Sequence, residues 1–257
     1  MSPESCMEIG SASFGKPGMD EARIEFAIYN HGEVVMVSFK DDLEMFQFMK
    51  AKLYSAVLSD SLDQLALYDQ AMRADIRPIY PEAVVVGRAL TVLSVDVYER
   101  TEEPYKLEIE SVDSLQPGNV LVASTGRSTR TCFWGELLST AAQVRGAHGA
   151  IIDGYTRDVR RIINMQFPVF ATGMKPVDSN GRSVVVDYNC PVNCGDVVVR
   201  SGDIIFGDID GVIVIPRQVE REVIEWALTK VEGENKVREE LKQGKYLRDV
   251  YEKYGIL

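Results

Sequence analysis

The chain has 257 residues, of which 46% are hydrophobic and 26% are charged, so it can bury a sizeable core in one domain, with or without an appendage. Its net charge of −11 disfavours binding to nucleic acid or to an anionic membrane, since both need a basic protein surface. No segment approaches the ~18 apolar residues of a membrane helix. The first residues lack the basic and apolar blocks of a signal peptide, and we therefore expect a cytoplasmic protein.

The N-terminal region combines a Gly/Ser/Pro stretch at 10–18 with apolar runs at 27–29 and 34–37. These runs predict a β-hairpin around Asn30-His31-Gly32. Apolar residues then recur at helical spacing between 41 and 75, which predicts two successive helices. Ser59 and Asp60 fall near the expected start of the second helix, where capping is favoured over catalysis.

The middle of the chain is rich in Val and Ile, in runs typical of β-strands. The expected strands are 83–86, 89–97, 120–123, 150–152, 169–171, 183–187, 197–199, 204–207 and 212–215. Only two helices are clear among them, at 137–145 and 158–164, so the pattern indicates a mixed sheet. Residues 217–254 form a charged helical tail that Gly233 and Gly244 are expected to break or kink.

Four cysteines, at positions 6, 132, 190 and 194, are too few and too irregularly spaced for a disulfide framework or a zinc site. Free thiols in a reducing compartment are therefore predicted.

Two segments of the chain contain the candidate catalytic residues. Glu136 lies at an expected helix start, and Arg157 and Asp158 follow an expected strand. The intervening residues suffice for one helix, a glycine turn and one strand, so Asp158 can return to the neighbourhood of Glu136.

Carboxylates are ligands that Mg²⁺ or Mn²⁺ prefers, and Asp158 suits direct ligation while Glu136 suits holding a metal-bound water. Arg157 can grip a substrate carboxylate through two hydrogen bonds. The backbone N–H groups of Leu137 and Leu138, unpaired in the first helical turn, are natural donors to an anion.

These segments belong to a longer series of motifs by which the chain resembles the RraA-like proteins over about residues 50–245. That family includes 4-hydroxy-4-methyl-2-oxoglutarate/4-carboxy-4-hydroxy-2-oxoadipate aldolases and a ribonuclease E regulator. In chain order the motifs are LSDSLD (58–63), GRALT (87–91), PGNVLV (117–122), WGELL (134–138), RGAHG (145–149), DGYTRD (153–158), FPVF (167–170) and GDIIFGDIDGV (202–212).

The resemblance implies an α/β protein with the β/β/α fold of this family, built of mixed sheets with N-terminal helices and a charged C-terminal helical tail. We expect an N-terminal extension at 1–40, an RraA-like catalytic domain at 41–216 and a tail of the same domain at 217–257.

The resemblance also implies a class II aldolase, dependent on Mg²⁺ or Mn²⁺, that releases pyruvate from a 4-hydroxy-2-oxo (di)acid and also decarboxylates oxaloacetate. By matching positions, Arg157 and the amides of Leu137 and Leu138 bind the oxoacid, Asp158 binds the metal, and Glu136 acts through water. The family's aldolases carry Asp where this chain has Glu136, which changes the water geometry. A metal-bound water held by Glu136 is our hypothesis for the catalytic base.

The resemblance further implies a homotrimer or homohexamer in which an acid on the C-terminal helix enters the neighbouring subunit's metal site. Glu234 aligns best with that acid, and Glu232 competes with it. Two other functions stay open: a non-catalytic, protein-binding regulator of a ribonuclease, and a lyase for another 2-oxo acid, such as one derived from a sugar.

Three further groups of residues have structural interpretations. His148 is expected to cap a helix or lie exposed, and Asp208 and Asp210 to belong to a hairpin turn. Arg127 and Arg130 are equally suited to holding a distal substrate carboxylate and to facing solvent from a loop.

Overall fold

A computed structural model describes residues 23–30 and 33–256 of the chain. Its elements in chain order are β1 (Ile24–Asn30), β2 (Glu33–Phe39), α1 (Asp42–Lys52), α2 (Ser55–Gln64), β3 (Arg77–Pro78), β4 (Val85–Asp96), α3 (Lys106–Asp113), β5 (Asn119–Ser124), β6 (Cys132–Trp134), α4 (Glu136–Val144), β7 (Gly149–Thr156), α5 (Val159–Met165), β8 (Val169–Met174), β9 (Ser183–Tyr188), β10 (Val192–Cys194), β11 (Val197–Val199), β12 (Ile204–Asp208), β13 (Gly211–Ile215), α6 (Glu220–Lys242) and α7 (Leu247–Tyr254).

The central sheet is mixed, and its middle is parallel. Its main path runs β13-β12-β4-β5-β7-β8-β3, while β6 pairs with β7 and β9 pairs with β4. The strands β4, β5, β7 and β8 run parallel, and α3, α4 and α5 lie in the connections between them. The carboxyl ends of β5, β7 and β8 therefore meet at one edge of the sheet, which is where ligands bind in open α/β sheets.

Both faces of the sheet are buried because successive side chains of each strand point to opposite sides. On β5, Leu121 and Ala123 pack with the layer of α3, α4 and α5, whereas Val120 and Val122 pack with β10 and β11. A further cluster joins β12 and β13 to α1, α2, α6 and the β1–β2 hairpin. The hairpin and the C-terminal helix thus share one apolar core with the sheet.

The N-terminal expectations are largely confirmed. The strands β1 and β2 pair antiparallel with Asn30 opposite Glu33, while the turn residues His31 and Gly32 lie outside the described residues. The two helices are present, but α2 begins at Ser55 and ends at Gln64. Ser59 and Asp60 therefore lie in its interior, and capping was the wrong assignment for them.

In the middle of the chain, the expected strands 83–86 and 89–97 are one continuous strand, β4. Helix α3 and the short strands β3, β6 and β10 were not predicted. Within β4, a Cβ at Gly87 would lie 2.2 Å from the carbonyl oxygen of Gly118, so only glycine lets the backbones at these two positions approach this closely.

The prediction for Gly233 was wrong, because α6 runs through it without interruption. A Cβ at this position would lie 2.3 Å from the Cδ1 atom of Ile256, so the missing side chain makes room for the returning C-terminus. Gly244, by contrast, has φ +87° and follows the end of α6, as expected.

None of the helices that the structure describes is long and apolar enough to cross a membrane. Cys132, Cys190 and Cys194 are free thiols, as predicted, and Cys6 lies outside the described residues.

Candidate active site

Two loops lie side by side at the edge of the sheet, because β6 pairs in parallel with the end of β7. The N–H of Arg157 donates to the carbonyl oxygen of Trp134 at 2.9 Å, and the hydroxyl of Thr156 donates to the same oxygen at 3.1 Å. The N–H of Glu136 donates to Asp158 Oδ2 at 3.3 Å. The chain therefore brings Asp158 back to the start of α4, as its sequence spacing predicts.

Gly135 makes this approach possible. A Cβ at this position would lie 2.9 Å from Asp158 Oδ2 and 3.3 Å from the Cγ atom of Arg157. Any other residue would push the Arg-Asp pair away from the helix N-terminus, where the positive end of the helix dipole favours a carboxylate.

The backbone of Asp158 is left-handed, with φ +58° and ψ +25°. This conformation is unfavourable for most L-residues, although Asp and Asn tolerate it better than others. Asp158 immediately precedes α5, yet its side chain does not cap that helix. The unusual turn instead directs the carboxylate towards α4.

The guanidinium of Arg157 makes three polar contacts and remains partly exposed to solvent. Its Nη2 lies 3.2 Å from Asp178 Oδ1, its Nη1 donates to the carbonyl oxygen of Val177 at 3.3 Å, and its Nε lies 3.7 Å from Asp158 Oδ2. The side chain is 38% exposed, so part of the guanidinium stays accessible to a ligand.

Arg157 and Asp158 open into a cleft of about 340 Å³. Its lining comes from α3 and its N-cap residue, from β6 and the start of α4, and from the loops after β7 and β8. The lining residues are Tyr105, Glu108, Ile109, Cys132, Phe133, Trp134, Gly135, Leu137, Leu138, Arg157, Asp158, Asp178 and Ser179. The same Arg-Asp pair borders a more open groove lined by Met174 and Lys175. The pair thus stands between two depressions.

Glu108 is the most perturbed acid of the cleft. Burial raises its pKa from the ordinary value of 4.5 to about 7; the Ser179 hydroxyl and the Arg157 charge act against this rise, whereas the Asp178 charge adds to it. Glu108 therefore changes its protonation state close to neutral pH. Sequence reasoning missed this residue, because it lies on the unpredicted helix α3.

Asp178 behaves in the opposite way. Burial opposes its ionisation, but the hydrogen bond from the Tyr105 hydroxyl and the charge of Arg157 outweigh burial, so the pKa of Asp178 is lowered. The same hydrogen bond, together with burial, raises the pKa of Tyr105. Tyr105, Asp178 and Arg157 hence form a connected series in the cleft, in which Tyr105 is hydrogen-bonded to Asp178 and Asp178 is ion-paired with Arg157.

The remaining predicted site residues differ in how they face the cleft. Leu137 and Leu138 line it, and their N–H groups belong to the first turn of α4. Glu136 contributes its backbone to the site, but its side chain is not among the described residues that line the cleft. Its Oε1 accepts a hydrogen bond from Thr140 at 3.2 Å.

Glu234 lies on α6, where it accepts a hydrogen bond from Tyr54 and lies 3.6 Å from Arg238. It does not line the cleft within its own chain, and its entry into a neighbouring subunit stays a prediction, as does that of Glu232.

Other candidates prove to have structural partners. Arg127 pairs with Asp196, and Arg130 donates to the carbonyl oxygen of Val97 and packs over the ring of Tyr98, so neither lines the cleft.

The other three residues also lie outside the cleft. The expectation for His148 was wrong: it is half-buried, its Nδ1 lies 2.6 Å from the carbonyl oxygen of Val86, and the C-cap of α4 is Arg145. Asp208 ends β12 and Asp210 lies in the turn before β13, as predicted.

The carboxylates at the site determine which kind of metal ion could bind there. Within residues 23–30 and 33–256, no three His, Cys, Asp or Glu side chains come together as a complete metal cage. Mg²⁺ and Mn²⁺ need only one or two protein carboxylates when waters and substrate oxygens complete the shell. The side chain of Asp158 is 44% exposed, and no donor in the described part of the chain bonds its Oδ1. Asp158 therefore fits such an ion.

Comparison with known proteins decides the family. A family model described as RraA-like, Aldolase/RraA, matches residues 55–214, more than half of the chain. The chain belongs to the RraA-like family. The matched segment contains every residue that lines the cleft.

Several known proteins are similar to this chain in sequence. An uncharacterized protein of Methanocaldococcus jannaschii is 43% identical over 121 residues, covering 47% of this chain and 57% of that protein. DlpA of Legionella pneumophila is 26% identical over 78% of this chain and 32% of its own length. The chain thus spans less than two thirds of these two relatives. A Halalkalibacterium halodurans protein, provisionally named 4-hydroxy-4-methyl-2-oxoglutarate aldolase, is 29% identical over 71% of this chain and 81% of that protein.

Solved structures agree on the fold. RraAS2 of Streptomyces coelicolor, described as an unusual member of the RNase ES inhibitor RraA protein family, superposes with a TM-score of 0.69 at 25% identity, covering 77% of this chain and 97% of that one. An uncharacterized Pseudomonas syringae protein gives a TM-score of 0.68 at 25% identity over 79% of this chain and 96% of that one. The RraA-like α/β fold expected from the sequence is confirmed.

Proposed function

We propose that the protein is a lyase that depends on Mg²⁺ or Mn²⁺ and releases pyruvate from a 4-hydroxy-2-oxo acid. The observation that carries this proposal is the placement of Arg157 and Asp158 together at the N-terminus of α4, in one cleft. The aldolase names of relatives such as the H. halodurans protein support the reaction class.

In this proposal Arg157 binds the substrate's carboxylate through the part of its guanidinium that faces the cleft. The N–H groups of Leu137 and Leu138 donate to the same oxoacid, because the first turn of a helix leaves these donors free. Asp158 and, through water, Glu136 hold the metal ion, which would supply Lewis acidity at the 2-oxo group. Asp178 keeps the guanidinium in place while the substrate enters.

The reaction breaks the bond between C3 and C4 of the substrate. The 4-hydroxyl group loses its proton and becomes a carbonyl, while the electron pair of the broken bond passes to C3 as the pyruvate enolate. A proton then adds to C3 and completes pyruvate. We propose that a water oriented by Glu136 removes the hydroxyl proton. Oxaloacetate decarboxylation passes through the same enolate, so it should accompany the lyase activity.

We also propose that the active form is a homo-oligomer, a trimer or a hexamer, in which Glu234 completes a neighbouring site. Leu137 and Val144 on α4 are 76% and 81% exposed, which leaves an apolar strip beside the cleft for a second copy to cover. Mixing inactive Asp158→Asn with inactive Glu234→Gln protein should then restore activity, because some mixed sites receive both native carboxylates. Absence of restoration in mixed oligomers would remove Glu234 from the site.

The first test measures pyruvate release from oxaloacetate and from 4-hydroxy-4-methyl-2-oxoglutarate, with Mg²⁺ or Mn²⁺ and then with a chelator. We expect metal-dependent release that Arg157→Ala and Asp158→Ala reduce by at least about 100-fold, since each removes a group that orients the reacting atoms. Arg160→Ala is the matched control, because Arg160 is exposed on the neighbouring helix α5. Full activity in a folded Asp158→Ala protein would refute the site assignment.

A regulatory function is the second candidate, and the likeness to RraAS2 of S. coelicolor favours it. The two candidates separate experimentally: a regulator should inhibit a ribonuclease E-type enzyme equally well with Asp158→Ala, whereas a lyase loses its activity with that substitution.

A further inference from the structure

Part of the cleft lining outside α4 is polar. It consists of Tyr105, the N-cap residue of α3, and Glu108 of α3, together with Asp178 and Ser179 from the loop after β8, and we call these four residues the acidic wall. Two carboxyl groups and two hydroxyl groups thus face the same space as Arg157.

The polar atoms of the acidic wall are already arranged as donors and acceptors. Asp178 accepts one hydrogen bond from the Tyr105 hydroxyl, and its Oδ1 lies 3.2 Å from Arg157 Nη2. The Ser179 hydroxyl donates to Glu108 Oε2 at 3.3 Å. Glu108 lines the cleft, and no donor in the described part of the chain bonds its Oε1, which leaves this atom free to accept a hydrogen bond from a ligand.

The charges of the cleft disfavour a second substrate carboxylate here. Among the described residues that line the cleft, Arg157 is the only cationic side chain, and the proposed reaction engages it with the first carboxylate. A distal carboxylate would then face Asp178, whose lowered pKa keeps it ionised, and like charges repel. Arg127 and Arg130, which could have neutralised it, are paired elsewhere.

Hydroxyl groups match the acidic wall better than any charged group does. A ligand hydroxyl can donate to Glu108 Oε1, or to the hydroxyl oxygens of Tyr105 and Ser179, whose own protons are already donated within the wall. An ammonium group would need full negative charge on the wall, but burial raises the pKa of Glu108 to about 7 and leaves it partly neutral in the physiological range.

We propose that the acidic wall is the subsite for the substrate's tail, and that the substrate is a 2-oxo monocarboxylic acid with a hydroxylated, uncharged tail. This proposal rests on the pyruvate-releasing function and narrows its substrate class, with Tyr105, Glu108, Asp178 and Ser179 as the residues that select the tail.

The test compares kcat/KM for pyruvate release from four compounds that share the 4-hydroxy-2-oxo core. They are 4,5,6-trihydroxy-2-oxohexanoate, 4-hydroxy-2-oxohexanoate, 6-amino-4-hydroxy-2-oxohexanoate and 4-hydroxy-4-methyl-2-oxoglutarate. We expect the trihydroxy compound to exceed each of the others by about tenfold or more, the effect of one good hydrogen bond to a charged group. A preference for the diacid or for the amine would overturn the proposal.

Variants then locate the preference. Glu108→Gln and Tyr105→Phe, both nearly isosteric, should each lower the ratio of kcat/KM for the trihydroxy compound over 4-hydroxy-2-oxohexanoate by about tenfold, mainly through KM. Glu110→Gln, an exposed position on the same helix α3, should leave that ratio unchanged. An unaltered ratio in both wall variants would contradict the assignment.

A substrate tail could instead lie in the open groove that Arg157 also borders, and Lys175 lines that groove. A diacid preference that disappears in Lys175→Met would place the tail in that groove and reject the acidic wall as the tail subsite.

If none of the four compounds is cleaved but oxaloacetate is decarboxylated, the proposed substrate class is wrong and the pyruvate-enolate chemistry stands. If neither reaction occurs, calorimetric titration with the same four compounds still ranks their binding, and weak or diacid-favouring binding rejects the wall as well.

Discussion

At the scale of single residues, Glu108 couples the cleft to pH. Burial raises its pKa from 4.5 to about 7, so the folded protein binds more protons than the unfolded chain between these values. The contribution of Glu108 to the free energy of unfolding is therefore least favourable above pH 7, and it improves as the pH falls towards 4.5, by up to about 3 kcal/mol.

We expect Glu108→Gln to remove this dependence, because the amide does not titrate. Urea unfolding at pH 5 and at pH 8 measures the free energy of unfolding of both proteins. Between these two pH values, the free energy of unfolding of the variant should rise relative to that of the wild type by up to about 3 kcal/mol. The control Glu110→Gln should follow the wild-type curve. Parallel pH profiles for wild type and Glu108→Gln would mean that Glu108 is not held in a desolvated state.

Gly135 is the second single residue with a defined consequence. In Gly135→Ala the new methyl group would occupy space 2.9 Å from Asp158 Oδ2, and the Arg-Asp pair must shift. A displacement of this kind costs about 100-fold in turnover when it misplaces reacting groups. We expect that loss in kcat with a cooperative unfolding transition retained, as circular dichroism would show; wild-type kcat would show that the pair tolerates the shift.

At the scale of secondary structure, the start of α2 depends on Asp208. The N–H and hydroxyl of Ser55 donate to the two carboxylate oxygens of Asp208 at 2.8 and 2.7 Å, and Asp208 is buried. Asp208→Ala leaves these donors without an acceptor, and we expect the free energy of unfolding to fall by about 1–3 kcal/mol. Asp210→Ala, at an exposed position of the same turn, should change it by less than about 0.5 kcal/mol.

The elements that sequence predicted and those it missed differ in their apolar pattern. β5, β7 and β8 each contain a continuous apolar run because both faces of the strand are buried there, and such runs can be recognised in the sequence alone. Helix α3 is short, and Glu108 occupies a buried position where an apolar residue would have revealed the helical period. The residue that hid the helix is thus also the one that distinguishes the cleft.

The residues of the candidate site likewise fall into those that the sequence predicts and those that it does not. Arg157, Asp158 and the first turn of α4 were predictable because one strand and one helix connect them along the chain. Tyr105 and Asp178 reach the cleft from 73 residues apart, through a tertiary contact that no local pattern encodes. Their contribution required the folded structure.

At the scale of the whole molecule, the hairpin outside the matched family segment belongs to the core. Phe26 and Phe39 are buried with their ring centroids 5.6 Å apart, and the N–H of Ala27 donates to Glu225 on α6 at 2.8 Å. We expect Phe26→Ala to lower the free energy of unfolding by about 3–5 kcal/mol, as large cavities in cores do.

Met36→Ala is the control for this prediction, since Met36 is 54% exposed on the same hairpin and should cost little. Chemical denaturation monitored by tryptophan fluorescence measures both. Equal, small effects would indicate that the hairpin docks without stabilising the rest of the fold.

The left-handed backbone at Asp158 has a consequence for engineering. Glycine adopts this conformation at lower cost than aspartate, so Asp158→Gly should relieve local strain even as it removes the carboxylate. A library selected for thermostability alone would enrich this substitution and discard the chemistry. Any campaign to make the protein more robust therefore needs a turnover assay in every round of selection.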